Sequence, residues 1–286
     1  MLINGDRVKH SHFGIGQVVD CEKNVWVYFL EFPEDPKRFS KSTASQILKV
    51  ISGEEAKSLR LDNLRITFKN DAPNYKNLLE SINTFKHTYK LGFDDPVYLD
   101  SERNYKIDAH NQAHKLLGES TYKELLDEGD SEEICKRVLK IIGQKSNFLH
   151  SIEMIKLNDA MKDSPEAQDL FAKTIYSYLY GAGSDEEKFD LLSNILGIYK
   201  VDTWPTFSVL GFLFFPETHI MLKPATVKNA AELSGFNISY ETQLNIKTYS
   251  QTQKFYQWLR SELEKEGLQP KDSIDIQSFM WIIKKD

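Results

Sequence analysis

Only two cysteines, Cys21 and Cys135, occur in the 286 residues, too few for a disulfide framework in a chain this long, so both thiols are expected reduced and the protein cytoplasmic. Long apolar runs are missing too. The most apolar stretch, 207–215, spans nine residues before Pro216, far short of the roughly twenty a membrane helix requires; it is read as core, and no membrane partner is expected. The opening Met1-Leu2-Ile3-Asn4-Gly5-Asp6 has no basic stretch followed by an apolar one, so no secretory signal is expected. Glycine and proline, 14 and 9 residues, fall below the levels of disordered or fibrous chains, and the absence of internal repeats argues against a solenoid. No Gly-x-x-x-x-Gly-Lys-Ser/Thr or Gly-x-Ser-x-Gly pattern occurs, which excludes phosphate-loop ATP hydrolysis and the nucleophile-elbow hydrolases. Surplus positive charge is lacking as well: at a net charge of -6, nucleic-acid binding would need a local basic patch.

What is present describes a folding chain, 41% hydrophobic and 27% charged, with length for two or three domains. The first fifty residues are β-rich. Aromatic and β-branched residues fill 25–32 (Val-Trp-Val-Tyr-Phe-Leu-Glu-Phe), a run that predicts one strand. Residues 17–20 are its expected partner across the short polar link 21–24, and Gly14 and Gly16 supply bends. Pro33 and Pro36 mark the next turn; 37–40 and 47–50 are the expected closing strands of a small barrel.

Beyond Ile51 the apolar period turns helical. Ser52 with Glu55 and Ser184 with Glu187 are capping-box signatures, and Ser164-Pro165 sets an N-cap before a first-turn proline. Helical stripes run through Tyr75, Leu78, Leu79, Ile82 and Phe85, through Leu170, Phe171, Thr174, Ile175, Tyr178 and Leu179, and through Phe255, Trp258, Leu259 and Leu263. A fourth, at Ile134, Val138, Leu139 and Ile142, follows Asp130-Ser131-Glu132-Glu133, read as a helix cap. Breakers at 70–73, 92–96 and 143–147 are candidate hinges. The expectation is an α+β chain, mainly α, with a barrel at 1–50, a helical region at 51–143 and a helical C-terminal domain at 144–286.

The segment Gly5-Asp6-Arg7-Val8-Lys9-His10-Ser11-His12-Phe13-Gly14-Ile15-Gly16-Gln17-Val18-Val19 resembles the Tudor/SH3-like domain of UvrD/PcrA-type helicases, where Gly-Asp-x-Val-x-His leads into Phe-Gly-x-Gly-x-Val. It resembles less closely the RNA-polymerase-interacting barrel of CarD-type regulators. The likeness covers about fifty residues. It implies an SH3/Tudor-like barrel that binds protein partners, RNA polymerase or a DNA-repair or defence component among them, and it implies no catalysis and no cofactor. Trp204-Pro205, the run His219-Ile220-Met221-Leu222-Lys223-Pro224 and the ending Ile274-Asp275-Ile276-Gln277-Ser278-Phe279-Met280-Trp281 resemble a bacterial protein family to which no activity can be attached.

Candidate partner-binding residues are Trp26, Tyr28, Lys37, Arg38 and Phe39, expected to form one exposed strand face for a protein edge or a single nucleic-acid strand; core packing of the aromatics is the competing reading. Seven Lys and Arg against six Asp and Glu in 1–50 disfavour a phosphate-binding surface. His110 and His114, four apart, are candidate metal ligands on one helix face, but Asn111 stands where a zinc protease has glutamate, and a solvated face is the simpler reading. His10 is expected to pin the first turn. The segment 223–236 has the outline of a helix-turn-helix reader with Lys223 and Lys228 as its cations, or of a short helix with a glycine cap. Glu262 and Glu264 before Lys265 have a nuclease-like spacing, or lie on a solvated face. The favoured reading is a non-enzymatic protein-interaction module linked to transcription, DNA repair or phage defence; the alternatives are a metal-dependent nuclease and a nucleic-acid-binding protein.

Overall fold

The computed structural model describes residues 2–3, 5–21, 24–52, 78–143 and 148–284. Glu55, Tyr75, the 70–73 hinge and most of the 143–147 hinge lie outside them. The chain divides into two compact units, Met1–Asn74 with Ser234–Phe236, and Tyr75–Leu233 with Asn237–Asp286. The boundary expected after Gly143 falls inside the second unit.

In the first unit, strands β1 (Arg7–His10), β2 (Gly14–Asp20), β3 (Val25–Phe29), β4 (Phe32–Phe39) and β5 (Lys49–Val50) form one antiparallel sheet in the order β4-β3-β2-β1-β5. The single strand expected over 25–32 is broken at Leu30 and Glu31, where a turn sends Phe32 back along β3 and pairs Phe29 with Phe32. Helix α1 (Lys41–Ile47), capped by Ser40, links β4 to β5; it takes Ile47 out of the expected closing strand. Val8, Val18, Val25, Val27 and Phe29 fill one face of the sheet against Ala44 and Leu48. Gly14 turns at φ 77°. A Cβ at Gly16 would run into the Tyr28 carbonyl and the Phe29 ring, so β2 and β3 approach closely only because that position has no side chain. His10 Nδ1 accepts the N–H groups of His12 (3.0 Å) and Phe13 (3.1 Å), which pins the β1–β2 turn.

The described part of the second unit is helical: α2 (Leu78–Thr88), α3 (Asn104–Leu117), α4 (Glu119–Asp127), α5 (Ser131–Ile142), α6 (Ser151–Met161), α7 (Pro165–Tyr180), α8 (Asp185–Ile198), α9 (Trp204–Phe214), α10 (Pro224–Ser234), α11 (Ile246–Lys265) and α12 (Ser273–Ile282). Local chemistry starts several of them. Asp130 caps α5, Ser164 caps α7 with Pro165 in the first turn, and Ser184 with Glu187 closes a capping box on α8. Helix α9, the most apolar run, is buried on every side, and no helix among the described residues is long and apolar enough to cross a membrane. Before α3 the chain passes through Pro96–Tyr98 and a π-helical turn, Leu99–Arg103. The hinge expected at 92–96 is packed structure instead, with Phe93 at 2% and Asp95 at 8% exposure because Asp95 caps the next turn through Val97 N (3.0 Å).

Candidate functional site

Cross-strand pairing decides what the sheet can present. Trp26 lies opposite Arg38 and Val27 opposite Lys37, and side chains alternate between faces, so the five candidate residues do not form one surface. On one face the Arg38 guanidinium sits 5.8 Å from the centre of the half-buried Trp26 ring, with Arg38 exposed. On the other, Phe39 packs against the valine core, and the Lys37 ammonium lies over Phe13 (5.5 Å) and Phe32 (5.3 Å). Tyr28 is corrected outright. It is 2% exposed and packs with Val19 against Ile15, Trp26 and Leu30, so it supports the Trp26 ring from beneath and presents no contact surface.

Of the two histidines of α3, His110 is half-buried and His114 exposed, and each is engaged in a hydrogen bond. Their rings lie 4.7 Å apart, and their nitrogens meet the last carbonyls of α9: His110 Nδ1 donates to Leu213 O and His114 Nε2 to Phe214 O, each at 2.8 Å. Helix C-termini leave such carbonyls without partners, and the imidazoles satisfy them. No group of three or more His, Cys, Asp or Glu converges as a metal site among the described residues. The other candidates are engaged too. Lys228 lies 5.0 Å over the Tyr240 ring, Lys223 lines a cavity described below, and Glu262 pairs with Lys265 at 2.7 Å. Burial pushes the Cys135 thiol up to about 12, so it is an inert core group.

The second unit holds a site that sequence reasoning missed. A cavity of about 330 Å³ is lined by Glu102, Tyr105, Lys106, Lys223, Gln277 and Trp281, and its apolar wall by Phe148 and Met221. Lys106 is 3% exposed; its ammonium donates to Ser278 Oγ at 2.7 Å, while the Glu102 carboxylate stands 3.6 Å away, beyond hydrogen-bond range. Burial pulls Lys106 down to about 8, opposed by Glu102 and assisted by repulsion from Lys223. Burial likewise raises Glu102 and lowers Lys223. Gln277, 5% exposed, lines the same cavity.

Beneath the cavity Arg103 forks onto two carboxylates, to Asp272 at 2.6 and 2.9 Å and to Asp275 at 2.7 Å. Asp275, fully buried, also accepts Tyr98 Oη (2.5 Å) and Lys271 N (2.8 Å). The π turn places these groups: Arg103 turns inward to the aspartates, while Glu102 and Lys106, four apart, share the cavity side. Such turns recur at functional sites. A second cavity, about 320 Å³ beside Tyr178, His219 and Tyr249, differs in that its charged groups, Asp185 and Lys188, are exposed or half-buried.

Comparison with protein-family models, with curated proteins and with solved structures gives no match to this chain.

Proposed function

We propose that the N-terminal sheet is an SH3/Tudor-like barrel and that the chain is a non-enzymatic cytoplasmic interaction protein, docking a protein partner in transcription, DNA repair or phage defence. The meander order with β5 returning to β1, together with the helicase-like opening residues, supports the barrel. The observation that carries the docking role is the Trp26–Arg38 pair. Tryptophan and arginine are the side chains most enriched where binding energy concentrates, and here they stand opposed on neighbouring strands with Tyr28 buried alongside. RNA polymerase or a repair or defence component is the class of partner that the resemblance favours over nucleic acid, since the unit lacks a basic surplus.

Affinity capture from bacterial lysate with the full chain, compared with Arg38→Glu and Trp26→Ser variants of unchanged melting temperature, tests this. A protein recovered by the wild type and lost by both variants supports the reading. Equal recovery by all three contradicts it; capture that vanishes on nuclease treatment and falls steeply with salt moves the role to nucleic acid.

A further inference from the structure

We propose that the cavity of the second unit binds a small organic carboxylate, its charged end held by Lys106, Lys223 and Gln277 and its apolar body lying against Trp281, Phe148 and Met221. This goes beyond the docking role of the sheet and stands on residues of a different unit. Two ammonium groups line one cavity, and the charge on Lys223 raises the free energy of the charge on Lys106 there. A buried ammonium has three donors to satisfy, yet Lys106 hands one to Ser278 and meets Glu102 only at 3.6 Å. Gln277 adds an amide at the cavity wall that can donate to the same anion. An anion between the lysines answers both conditions at once.

Charge and size narrow the class. With Glu102 ionised, the three charged lining residues sum to a single positive charge, which matches a monoanion better than a phosphate dianion. A volume of about 330 Å³ lies at the small end of ligand pockets. Tyr105 and Phe148 at the wall, and Trp281, 44% exposed at the rim, suit an aromatic or branched body. The charged and titratable groups that face Lys106 are Glu102, Lys223, Asp275 and Tyr105. Lys106 loses its proton near 8, so carboxylate affinity falls between pH 7 and pH 9.5.

The test is ligand-observed fluorine NMR on the full chain with a panel of fluorinated aromatic carboxylates and their matched amides. Binding of carboxylates but not amides, weakened at least tenfold by Lys106→Met and by Lys223→Met and weakened again at pH 9.5, supports the site. Lys223 is the less buried of the two, which keeps the test alive if Lys106→Met unfolds. Amides binding as well as carboxylates, hits that survive Lys223→Met, or no hit in the panel overturns the proposal. Displacement by millimolar inorganic phosphate overturns the carboxylate assignment in favour of a phosphate ester.

Discussion

At the scale of single residues, Lys106 ties burial to pH. In the folded protein it gives up its proton near 8 and in the unfolded chain near 10.5; between these values the unfolded state holds more protons, so stability rises with pH across that window. The shift is worth about 3 kcal/mol at full deprotonation. Urea denaturation at pH 7.5 and pH 10.5 is expected to show the wild type gaining about that much relative to Lys106→Met; a difference independent of pH would remove the buried-cation account. Arg103 behaves oppositely. Its loss strands Asp272 and Asp275, at 7% and 0% exposure, as uncompensated charges, so Arg103→Met is expected to destabilise by about 3–5 kcal/mol. Gly16→Ala, which drives a methyl into the Tyr28 carbonyl, is expected to lower stability by about 1–3 kcal/mol, read from the melting of the N-terminal unit. Tyr28 shows why contact residues resist reading from a strand: its place in an aromatic run is visible, but the neighbours Val19, Ile15 and Leu30 that bury it come from other strands or the following turn.

At the scale of elements, helix starts were legible because their chemistry is local. Ser184 and Glu187 exchange bonds over three residues, Ser184 N to Glu187 Oε2 at 2.7 Å and Glu187 N to Ser184 Oγ at 3.2 Å, and this reciprocity is written in the spacing alone. Ser184→Ala is expected to cost about 1 kcal/mol in chemical denaturation, and a null effect would make the box ornamental. Strand ends were less legible. Residues 25–32 read as one run since Leu30 and Glu31 carry no turn signature, and Ile47 was lost to a helix because Ser40 caps α1 through Thr43 N. The His110 and His114 spacing was visible, but the carbonyls it serves, at Leu213 and Phe214, lie about a hundred residues away. Helix α12 did hold a clue. Asp275, Gln277 and Ser278 interrupt an apolar run that has no polar face, and polar groups so placed must find buried partners.

At the scale of the whole molecule, breakers near Gly143 mimic a domain boundary, yet α3, α5 and α7 belong to one unit, as tertiary packing overrides local punctuation. The cavity was illegible for the same reason: the Glu102 and Lys106 pair, Lys223 and Gln277 come from three distant stretches of sequence and meet only through the helical packing. The mainly helical character and the N-terminal sheet were legible, since an apolar period of 3.6 marks the one and a short aromatic and β-branched run the other. The docking role of the sheet is the claim on which the biological reading turns, and its sharpest test is a calorimetric titration of the captured partner against the wild type and Trp26→Ser at matched fold stability. The account predicts at least a tenfold weaker dissociation constant for Trp26→Ser; equal affinity would contradict it.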